Sequence, residues 1–176
     1  MAIDRQKTET VHWHAVFTAS RAEKKVRDRL GELGVECFLP VQTVLRQWTY
    51  RKSRVVVPVI AGLVFVRVSR QEQVKVLQTK GVVAFLRLKG EAGAAVIPDK
   101  QMEDFRFLLD FSEEAVEMTN ENIKAGDLVR VVKGSLRGME GELIRHKGVT
   151  KVLVRIDMLG CAMVNIPASF VEKLNK

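Results

Sequence analysis

The chain has 176 residues, 47% hydrophobic and 28% charged, enough for one medium or two small globular units and too apolar for intrinsic disorder. No stretch approaches the roughly 18 apolar residues of a membrane span, and residues 1–10 lack the apolar core of a signal peptide, so a cytoplasmic protein with no membrane partner is expected. The net charge of +8 is uneven: residues 1–110 carry +7, 111–126 carry −3 and 127–176 carry +4. A basic surplus on folded units fits a polyanion partner, but it fits ordinary solubility charge equally well.

Taken in chain order, Trp13 to Thr18 (WHAVFT) is apolar and aromatic-rich and predicts a first strand. Ser20 and Glu23 have the spacing of a capping box, and a helix is expected over Arg21 to Leu33. Ala22, Val26, Leu30 and Leu33 would form its buried stripe, and Gly34 would end it. Val35 to Leu39 predicts a short strand closed by Pro40. Residues 46–54 read as a basic hairpin-like segment with Trp48 and Tyr50 between the cations, either exposed for stacking or packed beneath. Val55 to Val57 and Leu63 to Val68 predict two strands. In the second, Leu63 and Phe65 share one face and Val64, Val66 and Val68 the other. Because a sheet covered on one side buries one face, Leu63 and Phe65 are either core or an apolar surface kept for a partner.

Gln71 to Gln78 predicts a short helix with Val74 and Leu77 inward, and Val82 to Leu88 another strand. Pro98 and Asp99 open a helix whose Met102, Phe105, Leu108 and Leu109 recur at helical spacing. This interleaving suggests an α+β two-layer sandwich. Phe111 to Ala125, acidic and polar, reads as a linker. Beyond it, Asp127–Val132, Glu142–Arg145, Lys151–Asp157 and Cys161–Ile166 are β-type runs punctuated by glycines, which predicts a small β-barrel. Its expected core is Val129, Val131, Leu143, Val152, Val154 and Ile156, whereas Leu136, Met139 and Met163 are candidates for a recruitment surface.

Signs of catalysis are weak. His12 and His14 would share a strand face as a possible metal pair, yet no cysteine or carboxylate accompanies them at ligand spacing. Cys37 and Cys161 lie far apart in apolar stretches and read as buried thiols. No phosphate-binding loop or nucleophile elbow occurs. Neither metal, cofactor nor enzymatic activity is expected.

The run Gly126-Asp127-Leu128-Val129-Arg130-Val131 with Gly134, Gly138 and Gly141 resembles a KOW motif. Trp13 and the basic helix after it, Leu39-Pro40, the run Val57 to Val66, Gly81-Val82-Val83 and Ile97-Pro98 resemble the NGN domain that precedes KOW in NusG-type transcription factors. Val41 to Val57 is especially like UpxY, so within the family the chain looks closer to specialised paralogues such as RfaH, LoaP and UpxY.

The resemblance implies an NGN domain at 11–110, a linker at 111–125 and a KOW (SH3-like) barrel at 126–176. It implies a monomeric elongation or antitermination factor that docks on the large subunits of RNA polymerase and suppresses pausing or termination, at polysaccharide operons if the UpxY likeness holds. The implied docking residues are Phe17, Leu63, Phe65 and Gln73. Family members usually carry an aromatic where Leu63 stands. Contact with non-template DNA or nascent RNA is implied for Arg21, Lys24, Lys25, Arg29 and Lys80, and the hairpin residues Arg51 and Lys52 form a second candidate surface. The KOW barrel, with Asp127, Gly134, Gly138 and Gly141 as its motif, would recruit a ribosomal protein or Rho. Its β-branched, glycine-rich sequence argues against a helical alternative fold of the RfaH type. The alternative is a KOW-type RNA-binding or ribosome-associated protein, which would not need the NGN-like block.

Overall fold

The computed structural model describes residues 9–174. Most of the segment read for a signal sequence, residues 1–8, lies outside the described residues. In chain order the elements are β1 (His12–Thr18), α1 (Glu23–Glu32), β2 (Glu36–Phe38), β3 (Val41–Trp48), β4 (Arg51–Pro58), β5 (Leu63–Val68), α2 (Glu72–Leu77), β6 (Val82–Phe85) and α3 (Asp99–Phe111). There follow β7 (Glu117–Thr119), β8 (Asp127–Val131), β9 (Glu140–His146), β10 (Val149–Ile156), β11 (Gly160–Asn165) and, after a 3-10 turn, β12 (Val171–Lys173). This is a mixed architecture with many strands and few helices. It divides into two compact units: the described residues up to Leu39 with Gly62–Val96, and Pro40–Ala61 with those from Ile97 onward.

The first unit is built on an antiparallel sheet of order β2-β5-β1-β6. The register pairs Phe17 with Leu63, Ala15 with Phe65 and Val16 with Val64. Helix α1 packs on β2 and β5. The Cys37 thiol, cross-strand from Val66, reaches the Arg27 carbonyl of α1, so this helix covers the Val64/Val66 face. Val26 and Leu30 are fully buried, as the apolar spacing predicts, but Ala22 is half-buried and Leu33, at the C-cap, is exposed, so the stripe is shorter than expected.

The ends of α1 differ in how legible they are. The expected capping box does not form: Ala22 is the N-cap residue, without a side-chain cap bond. The Glu23 carboxylate instead accepts the Gly62 N–H at 2.7 Å, anchoring the first turn to the start of β5. At the other end Gly34 adopts φ +74°, and Gly34 N–H and Val35 N–H bond back to the Gly31 and Leu30 carbonyls. That pair of bonds is a Schellman stop, which needs the left-handed backbone glycine tolerates. In α2 the inward residue is Val76, fully buried, whereas Val74 and Leu77 are exposed. Six residues are too few for apolar spacing to fix the helix phase.

The second unit contains the β3–β4 hairpin, α3 and a six-stranded antiparallel sheet of order β12-β8-β9-β10-β11-β7. The hairpin is longer than expected, paired from Val41↔Pro58 to Trp48↔Arg51 around a Thr49-Tyr50 turn. Helix α3 packs on β10, and Met102, Phe105 and Leu108 are its buried residues. In the sheet Val129, Val131, Val152, Val154 and Ile156 are buried and Leu143 is half-buried. Leu136, Met139 and Met163 are buried as well, so none offers the recruitment surface considered for them.

The acidic segment after α3 is not a free tether. Its β7 pairs with β11, Thr119 opposite Cys161. Glu117 forms a 2.7 Å ion pair with the buried Lys151. Arg155 holds Glu142 through two bonds of 2.6 and 2.9 Å and donates to the Ile123 carbonyl, while Glu142 also accepts the Gly126 N–H. Three residues, Glu-Met-Thr, are too short a run to carry a strand signal, which is why the sequence reads this stretch as loop.

Candidate functional site

Of the three residues expected to form an apolar docking surface, Phe17 is 41% exposed, but Leu63 and Phe65 are 2% and 0% exposed; Gln73, expected at a separate contact with the second large subunit, is half-buried. The choice between core and surface therefore falls to core for Leu63 and Phe65. The premise of a half-solvated sheet fails, because β5 is buried on both faces: Leu63 and Phe65 on one, Val64, Val66 and Val68 on the other. Phe38 packs beside Phe65, with ring centroids 6.2 Å apart. Phe17 is left as the open end of an apolar row that runs inward through Leu63, its cross-strand partner.

Trp13 and His14 are core residues. His14 holds Ala95 through a 2.7 Å contact from Nδ1 to the carbonyl oxygen, and its Nε2 lies 3.5 Å from the Gln73 amide nitrogen. The neutral tautomer with hydrogen on Nδ1 satisfies both: the ring donates to Ala95 and accepts from Gln73. Burial pushes the His14 pKa below its usual value, against the raising effect of the Ala95 bond, and nearby His12 lowers it further. Among the described residues no group of three or more His, Cys, Asp or Glu side chains could hold a metal. Burial raises both thiol pKa values, so Cys37 and Cys161 stay protonated and unsuited to nucleophilic work.

The structure brings together part of the basic set. Lys25 and Arg29 stand one turn apart on α1, and the Arg29 guanidinium donates to the Lys80 carbonyl at 2.7 Å, placing Lys80 beside the helix. Lys24, Lys25 and Lys80 are exposed. Arg21, also exposed, precedes the helix in a left-handed conformation, φ 58°. Asp28 is engaged by Arg27 at 2.7 Å. Arg51 and Lys52 lie in the second unit, on the strand leaving the hairpin turn, both exposed.

In the six-stranded sheet Asp127 pairs with Lys173 at 2.7 Å, and Gly134 and Gly138 occupy the β8–β9 connection. Gly141 faces β10 so closely that a Cβ would stand 2.8 Å from the Leu153 carbonyl oxygen. The sequence left the orientation of Trp48 and Tyr50 open; both point into solvent, at 58% and 97% exposure. Reasoning from sequence also missed Gln42, whose side-chain amide bonds both the N–H and the carbonyl of Val116, at 2.9 and 3.2 Å. A lone glutamine in a strand carries no signal of such a role.

Residues 11–106, more than half the chain, match the NusG family, described as transcription termination factor nusG. The chain belongs to the NusG family. NusG-family proteins are non-enzymatic transcription factors. A structure titled "Domain interaction in Thermotoga maritima NusG" aligns with a TM-score of 0.51 at 22% identity, covering 94% of this chain and 98% of that one. A MjSpt4:Spt5 complex aligns over 93% of this chain and 97% of that one at 16% identity, with a TM-score of 0.31. No curated protein matches the sequence. Among the described residues, no helix of this NusG-family chain is long and apolar enough to cross a membrane.

Proposed function

We propose that this NusG-family chain is a cytoplasmic elongation factor that binds RNA polymerase through its N-terminal module and suppresses pausing or termination. The functional modules are those read along the sequence: NGN at 11–110, a connector at 111–125 and a KOW module at 126–176 that recruits further partners. Membership of the family carries the reading, and the exposed Phe17 gives it a surface. In this reading Phe17 makes the contact with the polymerase clamp, and Gln73, held beside His14 on the other sheet face, belongs to a separate contact with the second large subunit. Leu63 and Phe65 act from beneath: Leu63 sets the pose of Phe17 across the strand pair. Lys25 and Arg29 on one helix face with Lys80 beside them, and the exposed Lys24, neutralise phosphates of an exposed strand, with the salt dependence such contacts have. The likeness of Val41 to Val57 to UpxY favours antitermination at polysaccharide operons.

A reconstituted transcription assay over a paused template tests this. Added protein shortens pauses or raises read-through, and Phe17→Ala reduces the effect together with polymerase association. If the wild-type chain neither associates with core polymerase nor changes read-through, the proposal fails. Co-purification with ribosomal RNA in place of polymerase would favour the RNA-binding alternative.

A further inference from the structure

The β3–β4 hairpin carries charge and aromatic surface that the polymerase contact leaves unused. Between Glu36 and Glu72 the sequence has no Asp or Glu, so the hairpin has four cations, Arg46, Arg51, Lys52 and Arg54, and no acid. All four are exposed. The ion pairs seen among the described residues involve other side chains, so these four cations are available to an external anion.

The register sorts the tip into faces. Trp48 is opposite Arg51 and Arg46 opposite Ser53, so Arg46, Trp48 and Arg51 share one face. Arg46 and Trp48 are two residues apart, roughly 6.6 Å along the strand. Leu45, Gln47, Lys52 and Arg54 share the other face, and Tyr50 stands at the turn, 97% exposed. Indole and phenol rings are costly to leave in water. Set among exposed cations, they match a ligand that is anionic along its length and planar at intervals.

We propose that the hairpin tip is a single-stranded DNA site, with bases stacking on Trp48 and Tyr50 and phosphates meeting Arg46, Arg51, Lys52 and Arg54. This deepens the elongation-factor reading and rests on it for the biological source of the strand. Duplex DNA keeps its bases stacked inside and offers these rings no face except at its ends, whereas an unpaired strand offers one per nucleotide. The cations meet phosphates and the rings meet bases, and neither contact calls for the ribose 2′-hydroxyl that marks RNA.

The molecule supplies its own probe. Of its two tryptophans, Trp13 is 5% exposed and Trp48 58%, so ligand-dependent changes in tryptophan emission report on the hairpin. The full chain is titrated with a 12-nucleotide oligo-dT, the matching oligo-U and a 12-base-pair duplex, at two salt concentrations. Oligo-dT quenches the emission saturably and binds at least as tightly as oligo-U. Trp48→Ala abolishes the quench and weakens binding by about tenfold, within the range known for a base–aromatic stack. Arg51→Gln with Lys52→Gln lowers the slope of log affinity against log salt by roughly 1.4, two phosphate contacts on a single strand.

These side chains are solvent-exposed, so the variants keep the wild-type unfolding temperature. Absence of a quench, a duplex bound as tightly as oligo-dT, or a preference for oligo-U overturns the proposal. Polymerase association is measured on the same variants and stays intact. If instead the wild-type chain neither associates with core polymerase nor changes read-through, the polymerase reading fails while the oligonucleotide result stands independently.

Discussion

Phe17 and Leu63 face each other across β1 and β5, yet one is 41% and the other 2% exposed. Substituting each by alanine separates docking from folding. An aromatic side chain presents about 200 Å², so Phe17 has roughly 80 Å² left to bury against a partner. At about 25 cal/mol per Å² that is about 2 kcal/mol, or roughly 30-fold in affinity. Leu63→Ala removes fully packed methyl groups and is expected to cost about 2–5 kcal/mol of fold stability, and Phe65→Ala about 3–5 kcal/mol. The assay pairs equilibrium binding to core polymerase with thermal unfolding of the free protein. Phe17→Ala weakens binding by tens-fold and leaves the unfolding temperature nearly unchanged. Leu63→Ala lowers the unfolding temperature by several degrees and weakens binding only through loss of folded protein. Polymerase affinity within twofold of wild type for Phe17→Ala would refute the assignment of this residue to the contact.

Further outcomes follow from the buried polar groups. The folded pKa of His14 lies below its usual 6.5, so the unfolded chain takes up the proton first. Stability is therefore full above pH 6.5 and declines as pH falls from there through the folded value; thermal unfolding from pH 7.5 to 5 shows the decline, and His14→Gln flattens it. Glu142 is held below the usual carboxylate range chiefly by its bond to Arg155, so its contribution is lost as pH falls through that lowered value. Glu142→Gln, at a side chain 16% exposed, costs about 1–3 kcal/mol, read by denaturant unfolding, and speeds hydrogen exchange at Gly126. Gly141→Ala places a methyl group against the Leu153 carbonyl and splits β9 from β10, which two-dimensional NMR would show as widespread shifts in the C-terminal sheet.

Much of this fold is written in local patterns. The 3.6-residue stripe of α1, the glycine that stops it and the dense apolar runs of β1, β5 and β10 all appear where periodicity places them. Patterns fail where the deciding partner is distant in sequence. Glu23 has a capping residue's spacing but bonds Gly62, and Val76 displaces Val74 and Leu77 because the neighbours of α2 set its phase. Leu63 and Phe65 show the harder case, since an apolar residue on a strand reads the same whether its face is covered or open. Of the candidate sites, the cations were identifiable as residue types, but the proximity of Arg29 to Lys80 and the freedom of Trp48 and Tyr50 required coordinates.

The double amide bond from Gln42 to Val116 fastens the root of the hairpin to the backbone just ahead of β7. The six residues of β3 beyond Gln42 give an arm roughly 20 Å long past that fastening. A load applied at Tyr50 is thereby carried as torque to a pivot at Val116, one residue from the Glu117–Lys151 ion pair. The arm and the C-terminal sheet are geared together, so whatever grips the far end also pulls on the stretch of chain that leads into that sheet.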